Sequence, residues 1–491
     1  MSISDAEYSA WLKADGKARV LLVEATAYSG GAAVTRYMSN RAFVSGPTAT
    51  PANIAYDDII VGAPEYHVSM PEQFTGNIAG TWGAITIDNS AGVRDSWLND
   101  AWDGRSIKLL IGDPSWSRDD FRTVMVGVID DIIAPSRTQL ALRLQDKTGS
   151  TRVAIQKSLI GGTTANKNAV KPLAFGECFN IEPPLVTAAT HEYQPHDGAI
   201  NDEPDVRDGG LTVGYTKDLA NGKFTLTAAP AGVITCNVQG AKPSGTYYTK
   251  TADIINHIVT TRTTLTSGDI DTAAFTAFNT TCPQKVGIYI KDRRNVDTVL
   301  DELMRGVGGF WTFDRAGLLT IGRLEAPSGT PVLELDADDI RENGITLMRR
   351  ILPVDTYRMG YATNYTPQAE GLFGAVTEAN RALYGADEQI VTASNAGITT
   401  TYLLARNPDV ESTTLQDATE AQTECTRRAT LWGTLRKIFK VGCYASPFTL
   451  RIGHVIKITH PRFGFSGGVL GVVVGIHERP VAAQIDLEVF V

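Results

Sequence analysis

His191-Glu192-Tyr193-Gln194-Pro195-His196-Asp197 is the densest group of possible metal ligands in the sequence. Its histidines are five apart, not the four of HExxH, and Pro195 would break a helix that aligned them. The segment reads as a polar loop with turn hydrogen bonds; a divalent-metal loop is the alternative. His454 and His460 flank a strand-like run. Six residues apart they share a face, but strand rise separates them by roughly 20 Å, too far to share a metal. Asp336, Asp338 and Asp339 resemble the first half of a calcium loop. The glycine at its sixth position and the glutamate at its twelfth are missing, so the segment reads as a strand-to-turn helix cap.

Nucleophile and phosphate motifs are equally incomplete. Ser466, in Phe465-Ser466-Gly467-Gly468, lacks the preceding glycine of a GxSxG elbow. Gly306-Val307-Gly308-Gly309 closes a helix instead of opening one, which is the wrong end for an anion. Neither a Walker A loop nor a dinucleotide fingerprint occurs. Cys178, Cys236, Cys282, Cys425 and Cys443 stand at least 18 residues apart, without CxxC spacing, and read as reduced, buried thiols. No carboxylate pair stands out. The expectation is a protein that is not an enzyme, with no catalytic, cofactor-binding or metal residues and no cofactor.

The elements around these residues are mostly strands. Ser4 and Glu7 have capping-box spacing before a short helix that ends near Gly16. Ala18 to Tyr28, Gly83 to Asp88, Ser106 to Ile111, Val124 to Ile133 and Leu140 to Leu144 are strand-like runs between turn signals. From about 150 to 250 the chain reads as a few strands joined by long Gly/Pro/Asp-rich connections, such as Gly198 to Gly210. Thr251 to Arg262 is helical, and Asn295 caps a second helix with Val296, Val299, Leu300, Leu303 and Val307 on one face. Asp314-Arg315-Ala316-Gly317 joins Phe310–Phe313 to Leu318–Ile321 as a hairpin.

A weak pattern over 366–400 precedes the longest helix. There Ala418, Ala421, Cys425, Ala429, Trp432 and Leu435 form the apolar stripe, and Arg427, Arg428 and Arg436 lie off it. The end, Gln484 to Val491, alternates strictly as a strand, which needs a sheet to tie it down. The expected fold is mainly β with α+β insertions, in several β-barrel or sandwich modules. They are 1–150, a β module; 151–250, β-rich with loops; 251–345, a small α+β module; and 346–491, a β module with one long helix and a C-terminal strand.

With 491 residues, 43 % of them hydrophobic and 20 % charged, the chain has material for three to four domains and an extensive core. No apolar run reaches the roughly 20 residues of a membrane span, and the start lacks a signal layout. An intact N-terminus on a soluble cytosolic product, without membrane insertion, is expected. A net charge of -9, with no Lys/Arg block, argues against a nucleic-acid coat.

Four blocks, in their order, resemble the baseplate hub (tail-tip hub) proteins of long-tailed, non-contractile bacteriophages and the related gene-transfer-agent hubs. The first is Trp102-Asp103-Gly104-Arg105 with Lys108 to Asp113 and Val126 to Ile132, similar to tail-tube-like N-terminal modules. The second runs from Lys171–Gly176 through His196–Ile200 to Asn221–Phe224 and Pro230–Thr235. The third is Gly287–Ile290, the helix after Asn295, Gly308–Trp311 and Asp314–Gly317; the fourth is Ile458–Gly464 with the terminal strand.

The resemblance implies a siphovirus virion component made in the host cytoplasm. It would be a homotrimeric hub joining a sixfold tail tube, through distal tail or tube ring proteins, to a threefold tip or central fibre. Its tail-tube-like barrel modules would continue the tube wall with pseudo-sixfold symmetry and line the path of genome ejection. DNA would pass without sequence-specific binding, along a wall whose acidic excess keeps it from sticking. Some siphophage hubs carry a Cys-ligated cluster or a fused muralytic domain, and neither has support here. The alternatives are a hexameric distal tail protein, a tail-associated glycan or peptidoglycan hydrolase, and a carbohydrate-binding module using Tyr247-Tyr248.

Overall fold

The computed structural model describes residues 3–14, 16–444, 450–482 and 484–491. Strands hold 40 % of the chain and helices 19 %, so the fold is mainly β as expected. The first barrel is built from apolar, β-branched runs. Val20–Ser29 pairs with Ala32–Ser39 on one side and Ser106–Gly112 on the other. From there the order continues through Arg122–Ser136 and Gln139–Gln145 to Thr81–Asp88. The segment 55–62 closes the ring: Ala55–Asp58 lies beside Ala32–Ser39, and Ile60–Gly62 beside Thr81–Asp88. Alternation then sends Leu21, Val23, Ile107 and Leu109 into one core. Val20, Leu22 and Leu110 meet Phe43, Tyr56 and Phe121 on the other face.

A second barrel-like array comes from the far end of the chain. Its order is Ile340–Ile351, Arg436–Cys443, Gln484–Phe490, Val469–Arg479, Val455–Ile458 and Leu333–Leu335. The boundary expected between 345 and 346 falls inside the first of these strands. The terminal strand is tied down within the chain, paired on both sides. Tyr66–Ser69 pairs with Val469–Arg479, and His67 also faces Thr81, so a single hydrogen-bonded ladder runs through both barrels. They share a single apolar core.

The middle of the chain packs against this pair. Helices Thr251–Arg262, Thr272–Thr281, Val296–Gly306 and Ala418–Trp432 enclose a second core with the hairpin Gly309–Phe313/Leu319–Arg323. Gly76–Asn77, from the first barrel's segment, adds a parallel strand to that hairpin. A third core lies under a five-stranded sheet ordered Leu211–Thr212, Ile200–Asp208, Ile234–Ala241, Leu173–Ile181 and Gly287–Ile290. Two strands of this sheet approach so closely that a Cβ on Gly287 would lie 1.6 Å from the Glu177 carbonyl oxygen.

Three sequence expectations are corrected. Gly198 to Gly210 is not a long connection, since Ile200–Asp208 is an inner strand of the five-stranded sheet. A shift of register between Asp202 and Asp205 absorbs Pro204, which would otherwise interrupt a ladder. Thr272–Thr281, capped by Asp271, is a helix with no counterpart in the sequence reading. In Ala418–Trp432 the side chain of Arg428 is buried, not on the solvent side, because Glu424 one turn earlier is buried beside it. The weakly patterned stretch resolves into helix Glu378–Gly385 and strand Gln389–Ser394.

Candidate functional site

The chemistry-bearing residues of the sequence are consumed by local structure. His196 is buried, and its Nδ1 accepts a hydrogen bond from the Ala174 amide at 2.9 Å. Burial, with the positive charge of Arg262 second, pushes its pKa down to about 3, so the imidazole stays neutral. Asp197 is held below the usual carboxylate range. Burial opposes its ionisation, but Lys171 at 3.0 Å and the Gln156 side-chain amide outweigh that cost. Gln194 donates to the His196 carbonyl, and His191 sits at positive φ in a turn.

The other candidates are similarly dispersed. His454 and His460 both lie outside the four-residue strand Val455–Ile458, and each accepts at Nδ1 from a nearby backbone amide, of Arg451 and Arg462 respectively. Asp336 accepts from the amides of Asp338 and Asp339, while Asp339 pairs with Lys13 at 2.6 Å. A strand, not a helix, follows that turn. Ser466 lines a shallow cleft with Asp336, Asp338 and His460. Gly306 to Gly309 leads out of a helix into a strand. All five cysteines are free and buried; burial pushes Cys282 up to about 11 and Cys443 up to about 12. Among the described residues no group of three or more His, Cys, Asp or Glu side chains could hold a metal ion. The Tyr248 ring packs 5.8 Å from His257 of a helix.

Two charged assemblies that sequence reading missed sit at junctions between parts of the chain. The hairpin turn Asp314–Gly317 wedges between the two barrels. Its Arg315 pairs with buried Glu478 of the second barrel and lies 4.8 Å over the Tyr66 ring of the first. The Arg315 carbonyl accepts from Val126 at 2.8 Å, and Arg451 bridges Asp271 and Asp314 at 3.0 and 3.1 Å. Lys147 to Asp269, at 2.6 Å, adds another tie. These partners are more than 100 residues apart in sequence, and no local motif announces them.

The second assembly centres on Glu424 and Arg428, 1 % and 3 % exposed. Glu424 accepts from Arg427, Arg428 and Arg323, and Arg428 reaches Glu411 and the carbonyls of Arg305 and Gly306. Burial raises the Glu424 pKa, but Arg427 and Arg428 more than reverse it, so its pKa stands below the usual range. A cavity of about 620 Å³ opens beside this network, walled by Phe74, Ile351, Val354, Leu431 and Trp432. Of the network, Arg427, Arg428 and Glu411 line this cavity. Carboxyls raised by burial occur at Glu203 and Glu302, and neither lines this cavity. Both assemblies tie together segments that are distant in the sequence.

No family model matches the chain, and no curated protein matches it. Solved structures align with it at low identity. A tail protein from Neisseria meningitidis MC58 covers 96 % of this chain and 97 % of its own at 10 % identity, with TM-score 0.42. Prophage tail protein gp18 from Listeria monocytogenes EGD-e covers 95 % and 94 % at 8 % identity, with TM-score 0.43. A chain of the native gene transfer agent particle covers 67 % and 85 % at 14 % identity, also with TM-score 0.43. All three TM-scores lie below 0.5.

Proposed function

We propose that this chain is a baseplate hub protein of a long-tailed bacteriophage with a non-contractile tail. Three copies would join the tail tube to the tip or central fibre and form part of the DNA conduit. The observation that carries this reading is the pair of barrels, drawn from opposite ends of one chain and joined by a single ladder. Three such chains offer six barrel units to a sixfold tube while presenting threefold symmetry below. The sequence resemblance has its first block in the first barrel and its last in the second. The role is structural, and the partners are tail ring proteins above and tip or fibre proteins below. DNA passes without sequence-specific contact, in keeping with the net charge of -9.

Copy number tests it. Native mass spectrometry of the purified chain, and quantification of the chain in purified particles, should give three. Six copies would move the protein to the distal tail ring, and degradation of peptidoglycan by the purified chain would replace the structural reading with a hydrolase.

A further inference from the structure

The joint inside the chain shows how two barrels meet: a strand of one adds to a strand of the other. Each barrel also has a strand edge with no partner. Ile340–Ile351 pairs on one side with Arg436–Cys443, and among the described residues nothing pairs with its other side. Along it Leu347 is 42 % and Met348 52 % exposed. On the first barrel, Ala32–Ser39 pairs along its length with Val20–Ser29, but on its outer side only Met38 and Ser39 are paired, with Asp57 and Asp58. Residues 32–37 are open on that side. Long free edges with apolar side chains are templates for another strand, and proteins that stay monomeric blunt them.

Charge says which strand fits. In the edge strand of the second barrel Arg341 is paired with Asp486 and Arg349 with Glu72, which leaves Arg350 as its open cation among the described residues. Arg350 is exposed and makes no hydrogen bond or ion pair among the described residues. Beside the open edge of the first barrel, Asp57 and Asp58 are exposed and their carboxylates are likewise unpaired. The first barrel as a whole, residues 1–150, has 18 acidic and 13 basic residues, whereas 333–351 with 436–491 has 8 acidic and 10 basic. Arg36, in the open strand of the first barrel, is already paired with Asp100, so the charge match is Arg350 of one edge against Asp57 and Asp58 beside the other, whereas two second-barrel edges would set Arg350 against Arg350.

We infer that the free edge of Ile340–Ile351 in one copy pairs with residues 32–37 of a second copy, head to tail. This rests on the hub reading above and assigns its subunit interface. The two edges are different surfaces, so the contact is heterologous and repeats around a closed ring. In a trimer, three joints within chains would alternate with three between chains, all made by strand addition.

Thiol cross-linking tests the pairing, because the five native cysteines are buried. A chain carrying both Thr35→Cys and Met348→Cys is treated with a bismaleimide about 10 Å long, which tolerates a two-residue register offset of about 7 Å. The expected result is a covalent ladder ending at three chains in the double variant and no ladder in either single variant. Separately, Met348→Lys should convert trimer to monomer by native mass while its circular dichroism spectrum stays that of the wild type; a variant that remains trimeric counts against the edge pairing. A wild-type trimer with no ladder, or a cross-link confined within single chains, overturns the edge pairing and leaves the hub reading intact. A wild-type chain that is not trimeric at all overturns the hub reading and this interface with it.

Discussion

Glu203 lies in the inner strand Ile200–Asp208 with its side chain fully buried, and neither carboxylate oxygen has a hydrogen-bond partner among the described residues. Burial pushes its pKa up to about 7 from 4.5; Asp202 and Asp218 add to the rise, and Lys217 opposes it. The folded chain therefore holds a proton that the unfolded chain releases. Stability from this group is fully present below about pH 4.5 and is lost as the pH rises through 7. At about 1.4 kcal/mol per pKa unit the loss comes to roughly 3 kcal/mol, an upper figure because Lys217 and Asp202 are partly in water. Glu203→Gln keeps the neutral shape and cannot ionise. In urea titrations followed by circular dichroism, the variant should match wild type at pH 5 within about 1 kcal/mol and exceed it by roughly 2–3 kcal/mol at pH 8.5. Parallel stability curves for the two proteins across that range would refute the burial argument.

The clasp at the hairpin tip makes a second test. Arg315→Met leaves Glu478 charged and unpaired in a buried site and should cost about 3–5 kcal/mol, while adding Glu478→Gln should recover part of that loss in a double-mutant cycle of urea stabilities. Additive losses would mean that the pair is not coupled. Gly287→Ala forces a methyl group against the Glu177 carbonyl and should lower stability by more than about 2 kcal/mol. Gly104→Ala, at φ 69° with open space around it, should cost only about 1 kcal/mol in the same urea titrations.

What the sequence made legible was what local pattern encodes. The 3- and 4-residue steps of Val296–Gly306 and the Asp-Arg-Ala-Gly turn each required only neighbours along the chain, and they stand where expected. Ile200–Asp208 was hidden because Asp202, Glu203, Pro204 and Asp205 have loop composition, while burial depends on strands that arrive from elsewhere. In Ile340–Ile351, register shifts near Ile345 and Leu347 break the alternation that would have marked a strand. Arg428 lies off the apolar stripe and is nevertheless buried, because a period assigns a face but not a partner; its acids come from its own helix and from Glu411. Of the residues considered for catalysis or metals, Asp336, Asp338, His460 and Ser466 meet at one shallow cleft, and among the described residues no group of three or more His, Cys, Asp or Glu could hold a metal ion. The barrel joint, made by residues around 67 and 477, lies beyond any local pattern.

That joint also bears on time. Ser69 bonds to Glu488 across 419 positions, Lys13 to Asp339 across 326, and Arg315 to Glu478 across 163. The first barrel can close through neighbouring hairpins, such as Arg122–Ser136 with Gln139–Gln145, long before such distant segments meet. Joining the barrels then follows, and it completes the apolar core that the two share. Interactions formed after the transition state govern how slowly a protein comes apart, with little effect on how fast it folds. The salt-bridged seam would thus act as a brake on unfolding, setting how long the folded chain keeps its shape.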